Sequence, residues 1–256
     1  MQTDQSKYYD VSHHLPGDAW DARMECLAAF LHRALPGMQM SPKAQVLDVG
    51  CANGLMLRTL PPEWRRVGVD VTEPLLRLAR EGGIETHLCD FDNHPLPFGD
   101  GEFELVFCND VIEHVLHTDH VLNEINRVLK PGGWLFMSIP NINQPVSLVM
   151  QFILDLTPMF AARYRCTHYR DFTHRLFQRI TTIHGFSITR AAGTFIYPWG
   201  RSRLSRAVAR WIPRWGMQIL YLAQKARTVQ VPEGFTANMP ELMAWFKRPL
   251  EQCRRT

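Results

Sequence analysis

A chain of 256 residues, 46% of them hydrophobic, can bury one α/β core with room for an attached subdomain. No run approaches the roughly 18 uninterrupted apolar residues of a membrane-spanning helix, and the polar opening Met1–Asp10 lacks the apolar centre of a signal peptide, so the expected location is cytoplasmic. The net charge of +3 hides a division, with 11 Lys+Arg against 21 Asp+Glu through Met159 and 17 against 4 from Phe160 onward. Such asymmetry points either to an anionic partner for the second part or to packing of the basic part on the acidic one.

Trp20–Leu35 has the period of an amphipathic helix, suited to cover a sheet edge or the mouth of a site. From Ala44 strand and helix signals alternate. Val46–Val49 is expected as strand, Leu55–Leu60 as helix, Arg66–Val71 as strand, Pro74–Glu81 as helix, and Ile84–Cys89 and Phe103–Cys108 as strands. A helix over Asp119–Leu129 places Val121, Leu122, Ile125 and Val128 on one face and stops at Pro131-Gly-Gly133, ahead of a strand at Trp134–Ile139. This is the rhythm of a doubly wound sheet. Asn141–Thr173 is long, aromatic and without a clean strand. The pattern then resumes with helix near Arg175–Ile183, strand Phe186–Ala192, helix near Ser202–Trp211 and strand Met217–Gln224. The tail from Thr228, with Pro232, Pro240 and Pro249, suits surface structure. The six cysteines are scattered without a C-x-x-C pair, which suits buried thiols in a reducing compartment and not a structural zinc site.

The chemistry concentrates at strand ends. Asp48 closes the first strand, and Gly50, Ala52 and Gly54 let backbone approach a ligand. Asp70 ends the second strand, where an acid can accept both hydroxyls of a ribose. Asp90-Phe91 follows the third with a carboxylate for an exocyclic amine and a ring for stacking. Asn109-Asp110 ends the fourth. A pyrophosphate site would want the G-x-G-x-x-G spacing or a cation; this loop reads Gly-x-Ala-x-Gly and contains neither Lys nor Arg.

In Val46-Leu-Asp-Val-Gly-Cys-Ala-Asn-Gly54, Gly68-Val-Asp-Val71, Cys89-Asp-Phe91, Leu96-Pro-Phe98, Phe103-Glu-Leu-Val-Phe107, Ile112-Glu-His-Val115 and Leu129-Lys-Pro-Gly-Gly133, the chain resembles the class I S-adenosylmethionine-dependent methyltransferases, with affinity to the ubiquinone-biosynthesis-like members. The resemblance covers Ala44–Asn141 in register. It implies a Rossmann-like sheet of about seven strands, mostly parallel with an antiparallel last strand, plus a helical acceptor-binding region. Asp48, Gly50, Cys51, Ala52 and Gly54 would face the methionine moiety, Asp70 and Val71 the ribose, Asp90 and Phe91 the adenine, and the Asn109 backbone the methionine end. Ala52 stands where the family often has glycine.

A sulfonium methyl is already electrophilic, so a protein has mainly to align a nucleophile and exclude water. A hydroxyl acceptor must also lose a proton, for which His114 is the first candidate base, with Glu113 and His168 beside it. Asp110-x-x-Glu113-His114 also looks like the Glu-x-x-Glu-His metal motif of small-RNA 3′-terminal ribose methyltransferases, although no metal is the favoured expectation. The acceptor region, 141–173, joins an apolar stretch to Arg163, Arg165, His168, Tyr169 and Arg170, which suits an amphiphile with an anionic head. In Ser202–Trp211 the arginines Arg203, Arg206 and Arg210 share one stripe opposite Leu204, Val208 and Trp211. The favoured reading is a crossover helix with its apolar face on the sheet; the alternatives are docking on an anionic membrane or on RNA.

The chain is therefore expected to be a single domain. It comprises a helical cover over 1–43, a cofactor core over 44–140, an acceptor insertion over 141–173, the end of the sheet over 174–227, and a tail over 228–256. Its expected activity is S-adenosylmethionine-dependent O-methylation of a small or lipid-like, anionic acceptor. An RNA methyltransferase and a non-catalytic S-adenosylmethionine-binding module are the alternatives.

Overall fold

The computed structural model describes residues 18–154, 168–196 and 202–236. Its elements are α1 (Asp18–Ala34), β1 (Gln45–Val49), α2 (Leu55–Arg58), β2 (Arg65–Asp70), α3 (Glu73–Glu81), β3 (Glu85–Leu88), β4 (Phe103–Asn109), α4 (Thr118–Val128), β5 (Leu129–Pro140), α5 (Pro145–Leu154), α6 (His174–Ile183), β6 (Phe186–Gly193), α7 (Arg203–Trp211) and β7 (Gln218–Lys225). The seven strands form one sheet in the order β3-β2-β1-β4-β5-β7-β6. β7 runs antiparallel to both neighbours, and the other pairings are parallel. The expected mostly parallel sheet with a reversed last strand is what forms.

The strand order reverses between β1 and β4. In doubly wound sheets that reversal opens the crevice where ligands bind, so the ends of β1, β2 and β4 are placed together before any side chain is considered. The central strands Val46–Val49 and Leu105–Cys108 are buried on both faces, which is why they are apolar apart from Asp48. Alternate residues divide between two cores. Leu135, Met137, Ile139 and Tyr221 pack with α4 and α6, whereas Phe136, Leu220 and Leu222 pack with α1 and α3. Lys225 of β7 donates to the carbonyls of Asn126 (2.6 Å) and Leu129 (2.8 Å), closing the C-terminal end of α4.

Several expectations are corrected. α1 lies over a face of the sheet, not an edge, with Leu27 and Leu31 buried and Phe30 stacked on Phe136 at 5.7 Å. β5 starts at Leu129, before Pro131-Gly-Gly133, because a register shift opposite Phe103 and Leu105 absorbs the turn. The helical structure expected in the stretch without strand signals is present as α5, which leaves Phe152 94% exposed. α7 is turned round relative to its apolar stripe: it buries Ser205 and Ala209 and leaves Leu204 74% and Trp211 86% exposed. The Ser205 hydroxyl accounts for this choice, since it accepts from the Ile196 N–H (2.7 Å) and donates to its carbonyl (3.2 Å). The tail is docked as far as Thr236. Asn123 exchanges two hydrogen bonds with Val231, and the Thr236 N–H donates to Asp119.

Across the acidic and basic parts, Arg206 pairs with Glu25 at 3.5 Å and His184 lies 3.2 Å from Asp119. Arg163, Arg165, Cys166, Pro240, Pro249 and Cys253 lie outside the described residues.

Candidate functional site

The loop after β1 spends its donors internally. The N–H groups of Gly50 and Cys51 both donate to the Val69 carbonyl (2.8 and 3.0 Å), that of Ala52 to Asp70 Oδ2 (2.9 Å), and that of Gly54 to the Cys51 carbonyl (2.8 Å). A phosphate-cradling loop works through free, converging N–H groups. Here the N–H groups of Gly50, Cys51, Ala52 and Gly54 are taken, and the buried acids Asp48 and Asp70 lie at the adjoining strand ends, so the crevice suits a cation-bearing ligand. Gly50 has φ +76°, and a Cβ there would lie 2.4 Å from Val111 Cγ2, so no other residue lets this loop meet the one after β4. Gly68, inside β2, was not singled out from sequence; a Cβ there would lie 2.5 Å from Cys51 Sγ. A glycine within an otherwise apolar strand is the signal that could have found this close approach.

Ala52 adopts φ +48°, the left-handed region that costs a non-glycine residue roughly 1–2 kcal/mol. Ala52→Gly is expected to raise stability by about 0.5 kcal/mol, after the extra unfolded-chain entropy of glycine is deducted, without weakening cofactor binding. Denaturant melts and calorimetry check both, and a loss of stability would show the backbone is not strained there.

Asp48 is buried at the end of β1. Burial, then the neighbouring Asp70, push its carboxyl up to about 8. Asp70 is also buried and raised, but the N–H groups of Ala52 and Thr72 oppose the shift, each at 2.9 Å on a different oxygen. A carboxylate oxygen accepts two hydrogen bonds, so each retains a site for a ribose hydroxyl. Asp90 accepts from the Asn93 amide with one oxygen (2.8 Å), and its other oxygen is buried without a partner. The Asn109 amide is buried with neither its oxygen nor its nitrogen bonded. Phe91 belongs to the apolar core with Val69, Val111 and Val115, so it lines a floor and does not stand as a free stacking platform; Val71 packs partly buried beside that core. Orphaned polar atoms around two buried acids fit an amino-bearing nucleoside with a cationic tail.

At the rim, a short turn over Ile112–His114 follows β4. The Glu113 carbonyl accepts from the Tyr169 N–H (2.9 Å), which draws the end of the acceptor insertion back to the motif. His114 and His168 therefore meet edge to face, with ring centroids 4.6 Å apart. All three predicted rim residues, Glu113, His114 and His168, come together, with ligand atoms within 4.8 Å of one another. Both Glu113 oxygens are buried without a hydrogen-bond partner, and burial followed by the nearby Asp110 charge pushes its carboxyl well above the usual carboxylate range.

Asp110 is engaged elsewhere. It has φ +54°, pairs with Arg23 of α1, and accepts from Gln218 and from Ser138 Oγ (3.1 Å). Of Asp110, Glu113, His114 and the further candidate His168, the set close enough to share an ion is Glu113, His114 and His168. Arg170 does not wait for an anionic head, because its guanidinium donates to Thr118 Oγ1 (3.1 Å) and the Leu116 carbonyl (3.0 Å).

Residues 47–137 match the family described as a methyltransferase domain. Relatives include ubiquinone biosynthesis O-methyltransferases. That of Hydrogenovibrio crunogenus is 31% identical over 124 residues, 44% of this chain and 51% of the relative. That of Thiobacillus denitrificans is 33% identical over 125 residues, 44% and 53% respectively. The chain thus spans about half the length of the curated relatives it matches. Similar solved folds include a protein of Pyrococcus horikoshii (TM-score 0.58, 19% identity, 86% of this chain and 95% of that one). A SAM-dependent methyltransferase of Archaeoglobus fulgidus is similar too (TM-score 0.56, 18% identity, 79% and 94%).

Proposed function

We propose, from the premise that residues 47–137 form a class I S-adenosylmethionine-dependent methyltransferase domain, that the chain moves a methyl group to a hydroxyl of a small or lipid-like, anionic acceptor. The observation that carries this reading is the first loop, which keeps its N–H donors to itself and faces two buried acids, Asp48 and Asp70. The relatives' names support oxygen as the accepting atom.

S-adenosylmethionine, when bound, supplies a methyl on a positively charged sulfur. Asp70 and the partnerless oxygen of Asp90 would hold its nucleoside end, and Asp48, once ionised, would face its cationic end. His114, at the rim beside the β4 end, takes the acceptor's hydroxyl proton, and the edge contact with His168 fixes its ring. The exposed apolar residues of α5 and α7 lend themselves to lipid-like acceptors delivered from a membrane surface; no helix among the described residues is long and apolar enough to cross one.

The test is methyl transfer from labelled S-adenosylmethionine into fractionated small-molecule, lipid and RNA extracts. Label is expected in small or lipid-like molecules. His114→Ala should lower kcat about a hundredfold, flatten the acid limb of the pH profile and leave S-adenosylhomocysteine binding intact. Label confined to RNA, or absent from every fraction, overturns the proposal. A second reading places a divalent ion on Glu113, His114 and His168, favoured by their proximity and the unbonded Glu113 oxygens. Full activity after chelation removes it.

A further inference from the structure

A cleft of about 290 Å³ is lined by residues of α1, α7, β6 and β7. Its floor is apolar, built from Ala29, Phe30, Ala192 and Leu220. Its walls carry Arg33 from one helix and Arg203, Arg206 and Arg210 from the other, against a single acid, Glu25. The 3.5 Å contact of Glu25 with Arg206 is the ion pair these four arginines make among the described residues. Like charges drawn into one concavity repel at short range unless an anion joins them. The convergence also has an internal witness: Arg206, Arg210 and Arg33 all pull down the Cys26 thiol on the cleft wall, although burial pushes it up by more.

We infer that this cleft is a phosphate-binding site, separate from the methyl-transfer crevice, that takes a phosphomonoester or diphosphate group with a small apolar portion against its floor. Guanidinium groups approaching from two helices can each give two parallel hydrogen bonds to a multi-oxygen anion, a geometry a monocarboxylate cannot fill. The volume admits a headgroup and a few carbons, not a whole nucleotide cofactor. The inverted burial of α7 follows the same logic: seating Ser205 and Ala209 on the sheet turns Arg203, Arg206 and Arg210 toward α1. The site stands on geometry outside the crevice, so it holds or fails independently of the methyl acceptor.

The test uses the full chain with inorganic pyrophosphate, and separately with vesicles of phosphatidic acid, a phosphomonoester lipid, in phosphatidylcholine or of phosphatidylcholine alone. Two readouts apply: calorimetric affinity, and the alkylation rate of Cys26 followed by peptide mass spectrometry. Pyrophosphate is expected to bind saturably and slow Cys26 alkylation severalfold. Arg206→Gln combined with Arg210→Gln should weaken binding by at least about tenfold while S-adenosylhomocysteine still binds, which verifies folding. Binding and protection by phosphatidic acid vesicles as well, lost in the same variant, assign the phosphate to a lipid headgroup; protection by pyrophosphate alone assigns it to a free ligand. Unprotected Cys26 in both arms, or a double variant that binds like the parent, overturns the site.

Discussion

Asp70→Ala is expected to weaken S-adenosylhomocysteine binding by at least about a hundredfold, through the loss of two charge-assisted hydrogen bonds to ribose at roughly 1.5–3 kcal/mol each. The same change strands the Ala52 and Thr72 N–H groups that the two oxygens hold at 2.9 Å. Unsatisfied buried donors cost roughly 1–3 kcal/mol each, so the melting temperature should fall as well. Asp70→Asn separates the two roles: its amide keeps one acceptor oxygen and turns a donor toward the other N–H, so it should disturb the loop while keeping the side-chain volume. Calorimetry beside denaturant melts checks both effects. An affinity within about threefold of the parent for the alanine variant would remove Asp70 from the cofactor site.

The second large effect is a pH dependence set by Asp48, whose carboxyl burial and Asp70 push up to about 8. Below that pH the empty crevice holds a neutral acid, and a cationic cofactor favours the ionised form. Affinity should therefore rise about tenfold per unit as pH increases toward 8, then level off. Stability runs the other way. The folded chain keeps this proton up to about 8, whereas an unfolded aspartate releases it near ~3.9. Stability is thus greatest below about 4 for this group and falls as pH rises through that window. Asp48→Asn should abolish the affinity slope and leave the variant more stable than the parent above pH 8 by roughly 1–3 kcal/mol. A parent affinity flat between pH 6 and 8.5 would refute this assignment.

The strand-end acids could be read from the sequence because two-sided burial makes β1 and β4 mostly apolar, so that Asp48 near the end of β1 and Asp70 at the end of β2 stand out against Val and Leu neighbours. The rim residues Glu113, His114 and His168 could be named from the sequence, but not the contact that assembles them: the backbone bond from Tyr169 to the Glu113 carbonyl is tertiary and has no local signature. The partners of Asp110 were hidden for the same reason, since Arg23, Ser138 and Gln218 reach it from three distant elements. α7 went wrong on different grounds. A hydrophobic period states which residues share a face, not which face meets the sheet, and one serine bonded to the Ile196 backbone reversed the choice.

The placing of β7 between β5 and β6 bears on how the chain comes to be made. β6 sits at the edge of the sheet, hydrogen-bonded to β7 alone. During synthesis Phe186–Gly193 emerges before Gln218–Lys225, so β6 has no strand to join until the later segment arrives. Until then β5 presents an open edge, Phe136 and Met137 lack the cover of Leu222 and Tyr221, and the end of α4 lacks Lys225. The cofactor half can order as it is translated; the half that carries the arginines closes only when Gln218–Lys225 is out, and a nascent chain halted before Gln218 is exposed to strand exchange with its neighbours.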